Sequence, residues 1–210
     1  MTDFKPIVDA LVGLDQQKLN EVIEDALNSG ASAKKILDEG LIAGMDIVGE
    51  RMESEEMFIP EVLKAAKIMA AALETLKPLF AEGELTAKGK IVIGTVKGDL
   101  HDIGKDLVAM MLESAGFEIH NLGVDVPPEK FVDAVKEKTA EIVGLSALLT
   151  TTTPTMKETI DALAEAGFKD RVKVVVGGAP VTQEFAEEIG ADGYAPDAGS
   201  AVRLVKSFMS

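Results

Sequence analysis

From Phe4 to about Phe80 the apolar residues recur three and four positions apart, as at Leu19, Val22, Ile23, Ala26 and Leu27. This is the stripe of an amphipathic helix. Asp15 and Ser32 stand where N-caps belong, and Gly30 where a helix ends. The longest helix is predicted to open near Pro60, since proline is tolerated in a first turn, and to run to Leu79. About four helices are expected, with no β-branched run before Lys90. Residues 81–89 are polar and glycine-bearing, so the boundary is placed there, between a helical domain over 1–88 and a second domain over 89–210.

The pattern then changes. Short β-branched runs, Ile91-Val-Ile93, Glu118-Ile-His120, Ile142-Val-Gly-Leu145 and Val174-Val-Val176, alternate with amphipathic helical segments, and a weak fifth run follows at Gly193-Tyr-Ala195. Continuous apolar runs mark parallel strands buried on both faces, and right-handed crossovers build them into an open, doubly wound sheet. The predicted architecture is all-α followed by α/β: a helical bundle, then a Rossmann-like (flavodoxin-like) five-stranded parallel sheet of order 2-1-3-4-5. Ligands of such sheets bind beyond the carboxyl ends of the strands, at the switch between the first and third. The loops after Thr95 and Leu145 are therefore the places to look.

Composition narrows the chemistry. Of 210 residues, 47% are hydrophobic and 27% charged, as in a folded protein, and 36 acidic against 21 basic residues give a formal charge of −15. Such a surface repels nucleic-acid backbones and anionic membranes, and neither is expected as a partner. The absence of cysteine removes disulfides, thiolate metal sites and thiol nucleophiles. Histidine occurs only at 101 and 120, which leaves no multi-histidine metal site. The first residues lack a basic and then apolar leader, and no apolar run is long enough to span a membrane, so a cytoplasmic protein is expected.

The first loop, Gly94-Thr-Val-Lys-Gly-Asp-Leu-His-Asp-Ile-Gly-Lys105, places His101 between Asp99 and Asp102. A carboxylate two residues before a histidine can accept one imidazole N–H and leave the other nitrogen as a lone-pair donor, a metal-ligand arrangement. A solvated turn with a helix cap fits the same spacing. Ser146 and the threonines at 150–153 follow the third strand, either as hydroxyls for a polar ligand or as a helix cap with turn filler. Gly177 and Gly178 follow the fourth, leaving either a slot or an ordinary turn.

Taken together, Asp99-Leu-His-Asp-Ile-Gly104, Ser146-Ala-Leu148 and Gly177-Gly178 resemble the DxHxxG, SxL and GG elements of cobalamin-binding domains. The spacing is similar to that of methionine synthase and its relatives, with 41 residues between Gly104 and Ser146 and 28 between Leu148 and Gly177. The helical half, through Met45-Asp-Ile-Val-Gly-Glu-Arg-Met52 and Met57-Phe-Ile-Pro-Glu-Val62, resembles the cap of methionine synthase and of corrinoid proteins in methyltransferase systems. The resemblance covers nearly the whole chain and points to a corrinoid protein of the kind serving methanol, methylamine, glycine betaine or aryl methyl ether methyltransferases.

That resemblance implies a bound cobalamin or related corrinoid with His101 as the lower axial ligand of cobalt. Asp99 would hydrogen-bond His101, Ser146 would extend that relay, and Asp102 and Ile103 would also touch the cofactor. Gly104, Leu148, Thr150, Gly177 and Gly178 would line a slot for the nucleotide tail. Met52, Ile59 and Val62 would form an apolar cap over the methyl group, although helical spacing alone makes them core residues. The implied function is a methyl relay, without catalysis by the chain itself. A substrate-specific methyltransferase loads cobalt(I), and methylcobalt(III) gives the group to a second methyltransferase whose acceptor is tetrahydrofolate or coenzyme M. A reductive activating protein is the implied third partner, and residues 81–89 the implied hinge.

Other classes share parts of this pattern. A cobalamin-dependent sensor needs an output segment, and only residues 198–210 follow the last predicted strand. The small subunit of a cobalamin mutase shares DxHxxG but lacks this helical cap. A receiver-like domain without cobalamin needs an acidic pocket with a lysine that is not evident. His120 fits no motif and is read as an end-of-strand residue facing solvent or a helix.

Overall fold

A computed structural model describes residues 3–80 and 86–209, and residues 81–85 of the predicted boundary lie outside the described residues. The chain divides into two compact units, one over 1–86 together with 114–116, the other over 87–113 and 117–210.

The first unit is helical. Helix α1, Lys5–Val12, is followed by α2, Gln16–Asn28, where the Asp15 carboxylate accepts the Lys18 N–H at 2.9 Å. Ser32 caps α3, Ala33–Lys35, which runs through a π-helical stretch, Ile36–Ile42, into α4, Ala43–Glu53. Helix α5, Ile59–Leu76, opens with the Glu61 carboxylate accepting the Phe58 N–H at 2.9 Å. It stops short of the predicted Leu79 and tightens into a 3-10 turn, Lys77–Leu79. Pro78 is the reason, because it has no N–H to continue the α-helical ladder. Helix α1 packs on α2, α4 and α5. Ile7, Leu11, Leu19, Ile36, Leu41, Val48, Val62 and Leu76 fill the core between them.

The second unit is the predicted sheet. Strands β1, Lys90–Thr95, β2, Glu118–Asn121, β3, Ile142–Ser146, β4, Lys173–Gly177, and β5, Gly193–Tyr194, are all parallel and ordered β2-β1-β3-β4-β5. Helices α6, Ile103–Ser114, α7, Pro128–Lys138, α8, Pro154–Glu165, α9, Gln183–Ile189, and α10, Ala198–Phe208, connect and flank them. Val92, Val143, Leu145, Val176 and Phe131 lie in one buried cluster. The register sets Thr95 beside Ser146 and Ser146 beside Gly177, so the three motif-bearing strands end in one row. A cavity of about 280 Å³ at the opposite end of the sheet, against Val172, Val174 and Asp192, lies away from that row. No described helix is long and apolar enough to cross a membrane.

Candidate cofactor-binding site

Beyond β1 the chain turns at Gly98 and delivers Asp99 into the interior, with the Asp99 N–H bonded to Val96 O at 3.1 Å. Asp99 is fully buried, and both of its oxygens are engaged. Oδ1 accepts from the His101 ring Nδ1 at 2.7 Å and from the His101 backbone N–H at 3.1 Å. Oδ2 accepts from the Leu148 N–H at 2.7 Å, the Leu149 N–H at 3.1 Å and the Thr152 hydroxyl at 2.8 Å. The loop after β1 and the loop after β3 thus converge on one carboxylate.

Burial by itself pushes the Asp99 carboxyl up, but the hydrogen bonds from the His101 ring, the Leu148 N–H, the His101 N–H and Thr152 outweigh it. The group is held well below the ordinary value of 3.8. An ionised carboxylate can only accept, so Nδ1 carries the proton, and in the neutral imidazole Nε2 carries the lone pair. Thr95 fixes the backbone of the same residue, its hydroxyl donating to His101 O at 2.8 Å. The ring is half exposed, its side chain 50% accessible while its carboxylate partner is sealed. A lone-pair nitrogen is therefore presented outward on a fixed mount.

The two loops that converge on Asp99 also carry exposed apolar side chains. Leu100, Ile103, Leu148 and Leu149 are among the exposed large hydrophobic residues, Ile103 at 77%. Residues this apolar, clustered on the carboxyl edge of a parallel sheet, mark a ligand bed. Gly104 is exposed, and a Cβ there meets nothing within 4 Å, so the space beside it is open. Gly178 is the opposite case, with φ +131° and a Cβ position 1.8 Å from Ala147 O, which no side chain can occupy. A Cβ on Gly177 falls 2.9 Å from Ala195 O. Here the backbones of the β3 and β4 loops touch directly.

Among the described residues no group of three or more His, Cys, Asp or Glu is placed to hold a metal ion. His101 can offer one ligand only. A metal bound here must arrive with its remaining ligands already supplied, as in a macrocycle with an apolar edge, and the bed around His101 fits such a group.

Of the predicted site residues, Asp99, His101, Leu148 and the Gly177–Gly178 turn come together as described, while Asp102, Ile103 and Thr150 lie exposed on the same loops. The hydroxyl that meets Asp99 belongs to Thr152, not to Ser146, whose backbone oxygen instead accepts the Val96 N–H at 3.0 Å. Ser146 ends a strand and Thr152 lies a full turn later, where the loop folds back over Asp99. Thr152 was hidden in a run of like residues, and only the turn that carries Leu148 and Leu149 selects it. In the helical unit Val62 is fully buried, Met52 half buried and Ile59 45% exposed. His120 sits in β2 with Nε2 3.0 Å from a Glu118 carboxylate oxygen and is not part of this constellation.

Residues 89–203 match the B12 binding domain family, and residues 4–77 match a second B12 binding domain family. The chain belongs to the B12-binding family. Within it, the chain is 45% identical to the dimethylamine corrinoid protein of Methanosarcina barkeri over 99% of its own length and 97% of the relative's. Its fold is similar to a cobalamin-binding protein from Desulfitobacterium hafniense DCB-2, with TM-score 0.86, 38% identity and 98% of each chain covered. It is also similar to a chain of the methanol:cobalamin methyltransferase complex MtaBC from Methanosarcina barkeri, with TM-score 0.83, 29% identity, and 97% of this chain and 78% of that one covered.

The open space at Gly104 gives a sharp prediction. Gly104→Val leaves the fold intact, with Tm within about 2 °C of wild type. It fills the space beside the ligand bed, so cobalamin that stays with the wild type through gel filtration separates from the variant.

Proposed function

We propose that this chain is the corrinoid-carrying methyl shuttle of a methylamine-type methyltransferase system, working in the cytoplasm. The observation that carries this reading is the single outward lone-pair nitrogen of His101, mounted on a buried carboxylate in an apolar bed. A corrinoid supplies a cobalt centre able to accept and release a methyl group, while the chain supplies the lower ligand and the bed. Asp99 fixes the tautomer and orientation of His101. Thr152 and the Leu148 and Leu149 N–H groups hold Asp99 ionised. The Nε2 lone pair could hold either a metal or a proton, and Asp99 would keep the ring in position for either.

Methyl donor and acceptor belong to other proteins in this reading. Dimethylamine is the donor favoured by the relatives' names, delivered through a substrate-specific methyltransferase. A second methyltransferase, with tetrahydrofolate or coenzyme M as acceptor, and a reductive activating protein would be its further partners. Met52 and Ile59, which keep accessible surface, are assigned to shielding the methyl group, with Val62 in the core supporting them. The test is anaerobic reconstitution with cobalamin followed by methylation assays with methyltransferases for mono-, di- and trimethylamine and for methanol. Stoichiometric binding with preferential loading by the dimethylamine enzyme supports the reading. Binding without methylation by any of them restricts the chain to cobalamin binding, and no binding at all rejects the reading.

A further inference from the structure

The segment that carries His101 is tied at both ends to one neighbouring stretch, made of Asn121 at the end of β2 and the connection over 122–127 that follows it. At the near end, Asp125 accepts the Gly98 N–H on Oδ1 at 2.7 Å and donates its own N–H to Asp99 O at 2.9 Å. At the far end, the Lys105 side chain is 1% exposed. Its ammonium bonds Asn121 Oδ1 at 2.8 Å and the Asp106 carboxylate. Asn121 closes the ring by donating to Asp106 at 2.9 Å, and its oxygen also accepts the Gly123 N–H at 3.0 Å. A buried ammonium is tolerated only when paired in this way, so Lys105 has one place to go.

Asp125 adopts φ +53°, a conformation that glycine takes more readily than aspartate. The hydrogen bond its side chain makes to Gly98 offsets that strain. Neither Asp125 nor Gly98 is buried, so this bond adds little to the core. It joins the loop after β2 to the turn that leads into Asp99 and His101.

We propose that the end of β2 and the β2–α7 loop, through Asp125 on one side and Asn121 with Lys105 on the other, form a clamp that holds the His101 segment in its ligand-ready conformation before the cofactor arrives. Asp125 and Lys105 are positioning residues, acting through the loop that carries the ligand. The effect on the cofactor rests on the reading of the site given above, whereas the effect on the free protein does not. Preorganisation of this kind raises affinity by removing the ordering that binding otherwise requires.

The test compares Asp125→Gly, which suits the backbone but removes the acceptor, with Asp125→Asn, which keeps an acceptor oxygen. In the cobalamin-free protein, hydrogen exchange is read at the amides of His101, Leu148 and Leu149, all bonded to Asp99. Asp125→Gly is expected to speed their exchange roughly fivefold to tenfold and to weaken cobalamin binding by a similar factor, while Asp125→Asn stays near wild type. Lys105→Met, an apolar chain of similar length, should speed the same amides. A merely structural role predicts a lower Tm with exchange raised evenly across the sheet, and that outcome overturns the proposal. Wild-type exchange and affinity in Asp125→Gly also overturn it. If the wild type itself does not bind cobalamin, the cofactor reading fails and the exchange data alone decide the clamp.

Discussion

His101→Ala is expected to leave a folded protein without the imidazole nitrogen proposed above as the ligand of cobalt. The ring is half exposed and contributes one of the donors around Asp99; the residue 101 N–H, the Leu148 and Leu149 N–H groups and the Thr152 hydroxyl remain. Both carboxylate oxygens therefore keep partners, and the change in stability should stay within about 1 kcal/mol. The electronic effect is far larger. Reconstituted and reduced to cobalt(II), the wild type should show nitrogen splitting in its electron paramagnetic resonance spectrum. Uniform 15N labelling of the protein should turn each triplet into a doublet, because the nuclear spin changes from one to one half. His101→Ala should show neither pattern. A 15N-insensitive wild-type spectrum would mean that the nitrogen on cobalt comes from the cofactor's own base, and His101 would lose its role.

The parallel sheet was legible because its strands are buried on both faces: Ile91-Val-Ile93 and Val174-Val-Val176 are unbroken apolar runs, and such runs have few other uses in a chain this short. The strand order then placed the site, since the switch between β1 and β3 is where Thr95 and Ser146 pair. The pairing of Asp99 with His101 was legible for a different reason. It is local, two residues apart, and the tautomer argument needs nothing distant. The third member of that network was not local. Whether Ser146 or Thr152 reaches Asp99 depends on how the β3 loop folds back, a matter of backbone hydrogen bonds such as Thr152 N–H to Leu149 O that side-chain spacing does not encode. Lys105 was missed for a related reason. A lysine in the first turn of a helix normally points to solvent, and its burial follows only from the placement of Asn121 on the neighbouring strand. In the helical unit, apolar spacing identified Val62 and Ile59 alike but did not separate the buried residue from the exposed one, because both fall on the same stripe of α5.

Asp99→Asn is expected to be more damaging than its near-identical shape suggests. An amide has one acceptor oxygen where the carboxylate has two, and the site presents donors on both sides. If the amide oxygen takes the place of Oδ2, serving Leu148, Leu149 and Thr152, its NH2 faces the His101 ring. Nδ1 must then give up its proton and become the acceptor, which moves the proton to Nε2 and blocks the lone pair needed by a metal. If the amide is flipped, His101 keeps its tautomer, but the NH2 opposes two buried backbone N–H groups. Either arrangement weakens cobalt coordination, by about 10-fold to 100-fold on the scale of outer-sphere partners of metal ligands. At neutral pH the variant should also be less stable by about 2–3 kcal/mol, from buried donors left without an acceptor. The pH dependence has a fixed sign. Asp99 is depressed in the folded state, so its contribution is present above the unfolded value near 3.8 and is lost as pH falls toward the lower folded value. Urea midpoints of wild type and Asp99→Asn should therefore differ by a constant amount from pH 7 to about pH 5 and converge below about pH 4. A gap that stays constant to pH 3 would mean that Asp99 does not titrate with folding, and the ionised mount for His101 would fall with it.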